Sequence, residues 1–285
     1  MDNLVISMEA TSDITKELAE KYNLCIAPMS FLIDGEEFST TKHDVVSSGL
    51  YEKMREWKKT STSQINEENY YEFFSELLKN GNEILHIGFS SGLSGSVNSA
   101  KLAADRLNNE QGSKIIVIDS LSGCYGQVIL GVLAREFSKN ATTIEDVVEY
   151  VEELKPKIIH RFSVDNLKYL ANGGRISGVS AIVGNLLSIK PIIRVDDNGK
   201  LVSMMKVISR KKALRTLVNQ FKQEVNKNFK FCFISHSDCE VDAVYMKELI
   251  EAETDYLPVI DNIGPVLGCH CGPGTVAMFY VGDKR

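Results

Sequence analysis

The sequence predicts an α/β protein of two domains, 1–157 and 158–285, the first with a mainly parallel sheet covered by helices and the second with a mixed sheet and helices. Three observations carry this expectation. Between Ile84 and Phe137 the chain runs through a buried-strand pattern, a polar loop, a helical pattern, a second strand and a second helix, the order that builds a parallel sheet under helices. After Pro156 the pattern changes, with two strands joined by a hairpin signal at Asp197, Asn198 and Gly199 and followed by a long amphipathic helix. With 285 residues, 44% of them apolar and 25% charged, the chain is long enough for two cores of ordinary size.

Taken in order, Leu4 to Ser7 reads as a short buried strand and Asp13 to Tyr22 as a helix with Ile14, Leu18 and Tyr22 on one face. A strand into Phe31–Ile33 meets Asp34-Gly35, a dipeptide that supplies the positive φ angles of a type I′ hairpin. Two amphipathic helices follow, one carrying Leu50, Met54 and Trp57 and the other Tyr70, Phe73, Phe74, Leu77 and Leu78, with a polar loop, Thr60 to Gln64, between them. The strand Ile84–Phe89, a helix to about Leu107, the strand Lys114–Asp119 and the helix Gln127–Phe137 complete the βαβα run, and Thr142 with Glu145 signals a capping box for one more helix before Pro156. Beyond it come a strand near Ile158–Val164, a short helix ending at Gly173-Gly174 and a small-residue helix over 177–188. Next are the strands Pro191–Val195 and Lys200–Val207, a helix from Arg210, the strand Phe231–Ser235, a helix through Met246 to Ile250 and a last strand Thr275–Val281.

The composition narrows the function. A net charge of −6, with the densest basic cluster only Arg210, Lys211, Lys212 and Arg215, argues against a nucleic-acid surface, which needs clustered cations to neutralise phosphates. No window approaches eighteen apolar residues and the amino terminus lacks a basic-then-apolar leader pattern, so a cytoplasmic protein is expected. Six cysteines spread through the chain fit reduced thiols.

Four segments carry polar chemistry. Ser90-Ser91-Gly92-Leu93-Ser94-Gly95-Ser96 lies between a strand and a helix, beyond the carboxyl end of the strand, where open α/β sheets collect ligands. It contains no lysine, so it suits a small anion such as a carboxylate better than a nucleotide triphosphate; the same sequence would also serve as a plain turn with a serine cap. Thr60 to Gln64 offers hydroxyls, and Thr62 with Ser94 would grip both oxygens of one carboxylate if the two loops met. His270, in Gly268-Cys269-His270-Cys271-Gly272-Pro273-Gly274, is read as a hydrogen-bond donor to an anion, with the glycines leaving the backbone open to a ligand. An extended segment would put Cys269 and Cys271 on one side and His270 on the other, which excludes a shared metal, and a plain core histidine is the alternative. Arg175, after Gly173-Gly174, is either an ordinary exposed arginine or a fork for a phosphate or a partner protein.

Together with Leu167-Lys168-Tyr169-Leu170, Ile189-Lys190-Pro191-Ile192 and Ile263-Gly264-Pro265-Val266, these segments resemble the DegV family nearly end to end. The resemblance implies a protein that binds a long-chain fatty acid, with the acyl chain in an apolar tunnel and the carboxylate at the domain interface, and that acts as the substrate-carrying subunit of a fatty acid kinase. It implies that Thr62, Ser63, Ser94, Gly95 and His270 hold the carboxylate and that Arg175 meets the kinase. It also implies that the acyl phosphate made there feeds phospholipid synthesis. No catalytic residue, metal or cofactor is expected, and a transient contact with a membrane surface would serve lipid exchange. Two departures stand out: Glu9-Ala10 where the family usually has Asp-Ser, and Ile65 where it has proline after Thr-Ser-Gln. The competing reading is a serine or cysteine acyl hydrolase or transferase, with Ser94 or Cys271 as nucleophile and His270 as base.

Overall fold

The computed structural model describes every residue except 2, 43, 47, 80–82 and 177–188, so the small-residue helix expected over 177–188 lies outside the described residues. The chain begins β1 (Leu4–Glu9), α1 (Lys16–Lys21), β2 (Leu24–Ala27), β3 (Ser30–Ile33), β4 (Glu36–Ser39), α2 (Leu50–Arg55) and β5 (Thr60–Ser63). It continues with α3 (Glu67–Leu78), β6 (Glu83–Gly88), α4 (Ser96–Gln111), β7 (Ile115–Asp119), α5 (Tyr125–Ser138) and α6 (Ile144–Leu154). The rest is β8 (Ile158–Ser163), α7 (Lys168–Asn172), β9 (Ile189–Val195), β10 (Leu201–Ile208), α8 (Arg210–Glu224) and β11 (Cys232–His236). Last come α9 (Glu240–Glu253), β12 (Val259–Asn262), α10 (Pro265–Cys271) and β13 (Val276–Val281).

Contacts divide the chain into two compact units: Met1–Met29 with Ser63–Pro156, and Ser30–Thr62 with Lys157–Arg285. The expected division at 157/158 differs from these units by one residue, Lys157, and by one segment, Ser30–Thr62, whose hairpin and helix pack with the second half of the sequence. The reason is an apolar cluster of Phe31, Phe38, Leu50, Tyr51 and Met54 that includes Cys269 and takes in Tyr169 at its margin.

The first unit holds a four-stranded sheet in the order β2-β1-β6-β7, parallel throughout. Its central strands are buried almost without interruption, as parallel strands covered on both faces must be. Alternation along β1 divides the covering: Glu9 bonds Tyr70 of α3 and Ser96 of α4, whereas the methyl and sulfur of Met8 lie 3.1 Å from where a side chain on Gly131 of α5 would begin.

The second unit holds a six-stranded mixed sheet, β10-β9-β8-β13-β11-β12, antiparallel except for the β11–β12 pair. Leu214, Leu217 and Phe221 of α8 and Met246 and Ile250 of α9 close one face over Ile159, Ile192, Ile234 and Met278. Phe162, Phe233, Ala277 and Phe279 alternate with those residues, are also buried, and belong to the other face. A three-stranded sheet, β4-β3-β5, completes the unit. Its hairpin turns as expected at Asp34 and Gly35, with φ of 54° and 89°.

Local details depart from expectation where a neighbour decides. Thr60–Ser63 is a strand at the edge of the small sheet rather than a loop, since β3 offers it a pairing edge. The first helix is shorter, starting at Lys16 with Thr15 as its cap, because Ala10–Ser12 forms a 3-10 turn that ends on Asp13 at φ 54°. The capping box of α6 sits one residue later than Thr142/Glu145: the Thr143 hydroxyl accepts from the Asp146 N–H, and the Asp146 carboxylate accepts from the Thr143 N–H.

Candidate functional site

In the first unit the serine-glycine loop bridges the carboxyl end of β6 and the start of α4. Most of its polar groups shape the loop itself. Ser90 O accepts from the N–H groups of Leu93 and Ser94 at 3.0 and 3.1 Å, Ser90 Oγ accepts from the Gly92 N–H at 3.2 Å, and Asp119 accepts from the Ser91 N–H at 3.1 Å. Ser94 Oγ accepts from the Ser96 N–H at 3.2 Å, which leaves the hydroxyl proton of Ser94 to donate. Among the described residues the Gly95 N–H meets no acceptor. Gly95 also has no room for a side chain, since a Cβ there would stand 2.6 Å from Gln64 Oε1. The loop thus presents a hydroxyl and an amide, both neutral donors, beside Gln64; Ser63 and Gln64 are exposed.

Beneath the loop lies Glu9, fully buried, which in the sequence stands out only as a departure from the family pattern. Its carboxylate accepts from the Phe89 N–H, from the Tyr70 hydroxyl at 2.7 Å and from the Ser96 hydroxyl at 2.6 Å. Burial raises its pKa, and the three donors pull the other way. These partners stand 61 to 87 residues away in sequence, so no local signal reveals them.

In the second unit Thr62 and His270 come together, Oγ1 to Nε2 at 2.8 Å. His270 sits in the last turn of α10, so the extended reading of 268–274 is corrected: Pro265 at the first helical position starts a helix that Gly272 ends. The glycines of this segment are not open either. A side chain on Gly268 would begin 2.7 Å from the Tyr51 hydroxyl, and one on Gly272 would begin 2.2 Å from the Tyr169 ring. The space beside the histidine is supplied from α7, because a Cβ on Gly173 would lie 2.6 Å from His270 Nδ1. Burial first, and then the Arg175 guanidinium, lower the pKa of His270 to about 4, so the ring is neutral at pH 7. With Nε2 protonated it donates to Thr62 and frees that hydroxyl to donate onward. Arg175 itself is exposed and donates to the Gly173 carbonyl.

The helix also separates the proposed nucleophile from its base. The Cys271 sulfur lies 3.5 Å from the Ser237 hydroxyl and 4.0 Å from the Gly268 carbonyl, whereas His270 is turned to Thr62 and Gly173. Among the described residues no group of histidines, cysteines and carboxylates is placed to hold a metal ion, and no helix is long and apolar enough to cross a membrane. Thr62 and His270 belong to the second unit, and Ser63, Ser94 and Gly95 to the first; the chain passes from one to the other at the Thr62–Ser63 peptide.

Comparison with known proteins gives a consistent picture. The family model for DegV proteins matches residues 3–283. A DegV domain-containing protein of Clostridium perfringens is 36% identical over 289 residues, spanning 100% of this chain and 99% of the relative. One from Streptococcus pyogenes serotype M3 is 31% identical over 282 residues, spanning 98% of both. Among solved structures, a DegV lipid-binding protein from Thermotoga maritima superposes with a TM-score of 0.85 at 26% identity over 99% of each chain. DegV of Bacillus subtilis, described as a fatty acid binding protein, gives 0.85 at 25% identity, again over 99% of each.

Proposed function

The chain belongs to the DegV family, and from that premise we propose that it binds a long-chain fatty acid and presents the carboxylate to a separate ATP-dependent fatty acid kinase. The observation that carries this reading is the lysine-free loop in which the Ser94 hydroxyl and the Gly95 N–H are left to donate. Two neutral donors suit one carboxylate and would leave a phosphate chain without its usual cation. In this reading Thr62, with His270 behind it, and the exposed Ser63 add donors to the same head group. The solved relatives described as lipid- or fatty-acid-binding support the choice of ligand.

An acyl tail needs an apolar wall, and the buried residues Phe162, Phe233, Ala277 and Phe279 on the sheet face opposite α8 and α9 are the candidate lining. Each buried CH₂ contributes about 0.8 kcal/mol, so the tail would dominate affinity and the polar end would fix orientation. Arg175, exposed and beside His270, is assigned to the kinase encounter, where its fork suits a carboxylate or phosphate of the partner. The acyl phosphate formed there would enter phospholipid synthesis, the protein would act in the cytoplasm, and a brief membrane contact would load and unload it.

Extraction of the native protein with organic solvent followed by mass spectrometry tests the reading. Free long-chain fatty acid in stoichiometric amount is the expected result. A mass adduct on Ser94 or Cys271 that survives denaturation would instead favour the acyl hydrolase or transferase and overturn it.

A further inference from the structure

Glu9 is an enclosed carboxylate that none of the ligand-facing roles uses. It ends β1, and its oxygens gather donors from three other places: the Phe89 N–H just after β6, the Tyr70 hydroxyl on α3 and the Ser96 hydroxyl in the first turn of α4. Phe89 and Ser96 bracket the serine-glycine loop, so one carboxylate ties both ends of that loop to the sheet. Burial makes each of these partners costly to abandon.

Two links connect Glu9 to the donors. Its 2.6 Å bond fixes Ser96, and the Ser96 N–H in turn donates to Ser94 Oγ at 3.2 Å, which fixes the direction left to the Ser94 proton. The N–H of Gly95 leaves the peptide between those two serines. Glu9 is fully buried with its oxygens turned to these donors, so any influence it has on binding passes through the loop.

We propose that Glu9 is the positioning residue of the carboxylate site, holding the Ser94 hydroxyl and the Gly95 N–H in the orientation that receives the head group. This inference rests on the fatty-acid reading above. It predicts a selective effect: loss of Glu9 weakens recognition of the carboxylate and spares recognition of the chain.

The test compares, in the whole 285-residue chain, the affinities for a long-chain fatty acid and for the primary alcohol of the same length, each by displacement of a fluorescent polyene fatty acid. Glu9→Ala is expected to cut the acid-over-alcohol preference about tenfold with the alcohol affinity within about twofold. Ser96→Ala, which breaks one link and keeps the buried carboxylate partnered by Tyr70 and Phe89, is expected to cut it about threefold and covers the case in which Glu9→Ala fails to fold. Glu9→Asp, one methylene shorter with the charge kept, should recover part of the preference. A wild-type preference in folded Glu9→Ala or in Ser96→Ala overturns the proposal while the fatty-acid reading stands. Absence of any acid preference in the wild type overturns that reading and this inference with it. Amide hydrogen exchange in ligand-free protein probes the tether without a ligand: Ser96→Ala should speed exchange across 89–96 about tenfold relative to β7, and unchanged exchange removes the tether.

Discussion

Replacing Gly173 and Gly174 by alanine, one at a time, separates the role of the histidine from the stability of the fold. Gly173 has φ −72° and ψ −12°, a right-handed helical conformation that alanine adopts without strain. Gly→Ala at such a position stabilises by about 0.4–1 kcal/mol through the unfolded chain. Against this, the new methyl would stand 2.6 Å from His270 Nδ1, and contact under 3.0 Å forces a shift of at least 0.4 Å (3.0 − 2.6). The ring must yield, and its far nitrogen holds Thr62 at 2.8 Å. Losing that bond costs roughly 0.5–1.5 kcal/mol, and crowding of the ring roughly 1–3 kcal/mol more. The stabilising and destabilising terms partly cancel in folding, whereas a carboxylate held as proposed would meet a displaced His270–Thr62 pair. Fatty-acid affinity should fall about fivefold to tenfold, and the terms leave a net loss of about 0.5–4 kcal/mol of stability that lowers the melting temperature by several degrees. Gly174→Ala is the counterpart. There φ is 69° with nothing within 4 Å, so the variant should lose about 1–2 kcal/mol of stability to left-handed strain and keep its affinity. Fluorescent fatty-acid displacement and thermal unfolding of both variants decide the matter. Wild-type affinity in Gly173→Ala together with an unmoved His270 titration would refute the reasoning.

Three further outcomes are expected. The double variant Thr62→Ala/Ser94→Ala should bind fatty acid at least about tenfold more weakly with an unchanged far-ultraviolet circular dichroism spectrum, because in the proposed reading each hydroxyl would donate to the carboxylate; unchanged affinity would remove both residues from the site. Arg175→Ala should keep fatty-acid affinity and lower the rate of acyl-phosphate formation with the kinase, and nuclear magnetic resonance should find His270 titrating higher once the neighbouring guanidinium is gone. On acidification the fold should weaken: His270 titrates near 6.5 when unfolded and at about 4 when folded, so between those values the unfolded chain carries the extra proton and stability falls as pH drops. His86, enclosed near Tyr70 and lowered by burial to about 3, has the same sign, and Glu9, raised by burial, has the opposite one. Comparison of His270→Gln with wild type cancels both, and the variant should lose less stability than wild type from pH 6.5 to 4, by up to about 3 kcal/mol.

What the sequence disclosed follows the range of the interaction involved. The Asp34-Gly35 turn, the βαβα run and the strand–hairpin–helix order after Pro156 are set by neighbours a few residues apart, and the structure has them where the pattern put them. The box at Thr143 was legible in kind and missed by one position, because Thr142 and Thr143 offer the same hydroxyl and only the helix phase chooses between them. Thr60–Ser63 read as solvated chain since its partner strand lies about thirty residues back. Helix α10 was hidden by Gly268, whose missing side chain answers a packing demand from Tyr51 rather than a need for an open backbone. Of the candidate site, Ser94 and Gly95 were visible as a loop motif. The bond between Thr62 and His270 spans 208 residues and leaves no local trace, and Glu9 looked like a mere substitution for the same reason.

The membership of Ser30–Thr62 in the second unit has a consequence during synthesis. The cluster that receives Phe31, Leu50, Tyr51 and Met54 also contains Cys269, which the ribosome reaches only near the end of its work. At about 5–20 residues per second, roughly ten to forty seconds pass between translation of Thr62 and that of Cys269. For that interval the hairpin and helix have one another as apolar partners but lack the Cys269 contact. A premature stop anywhere before Cys269 therefore leaves this cluster without the residue that ties it to the rest of its unit.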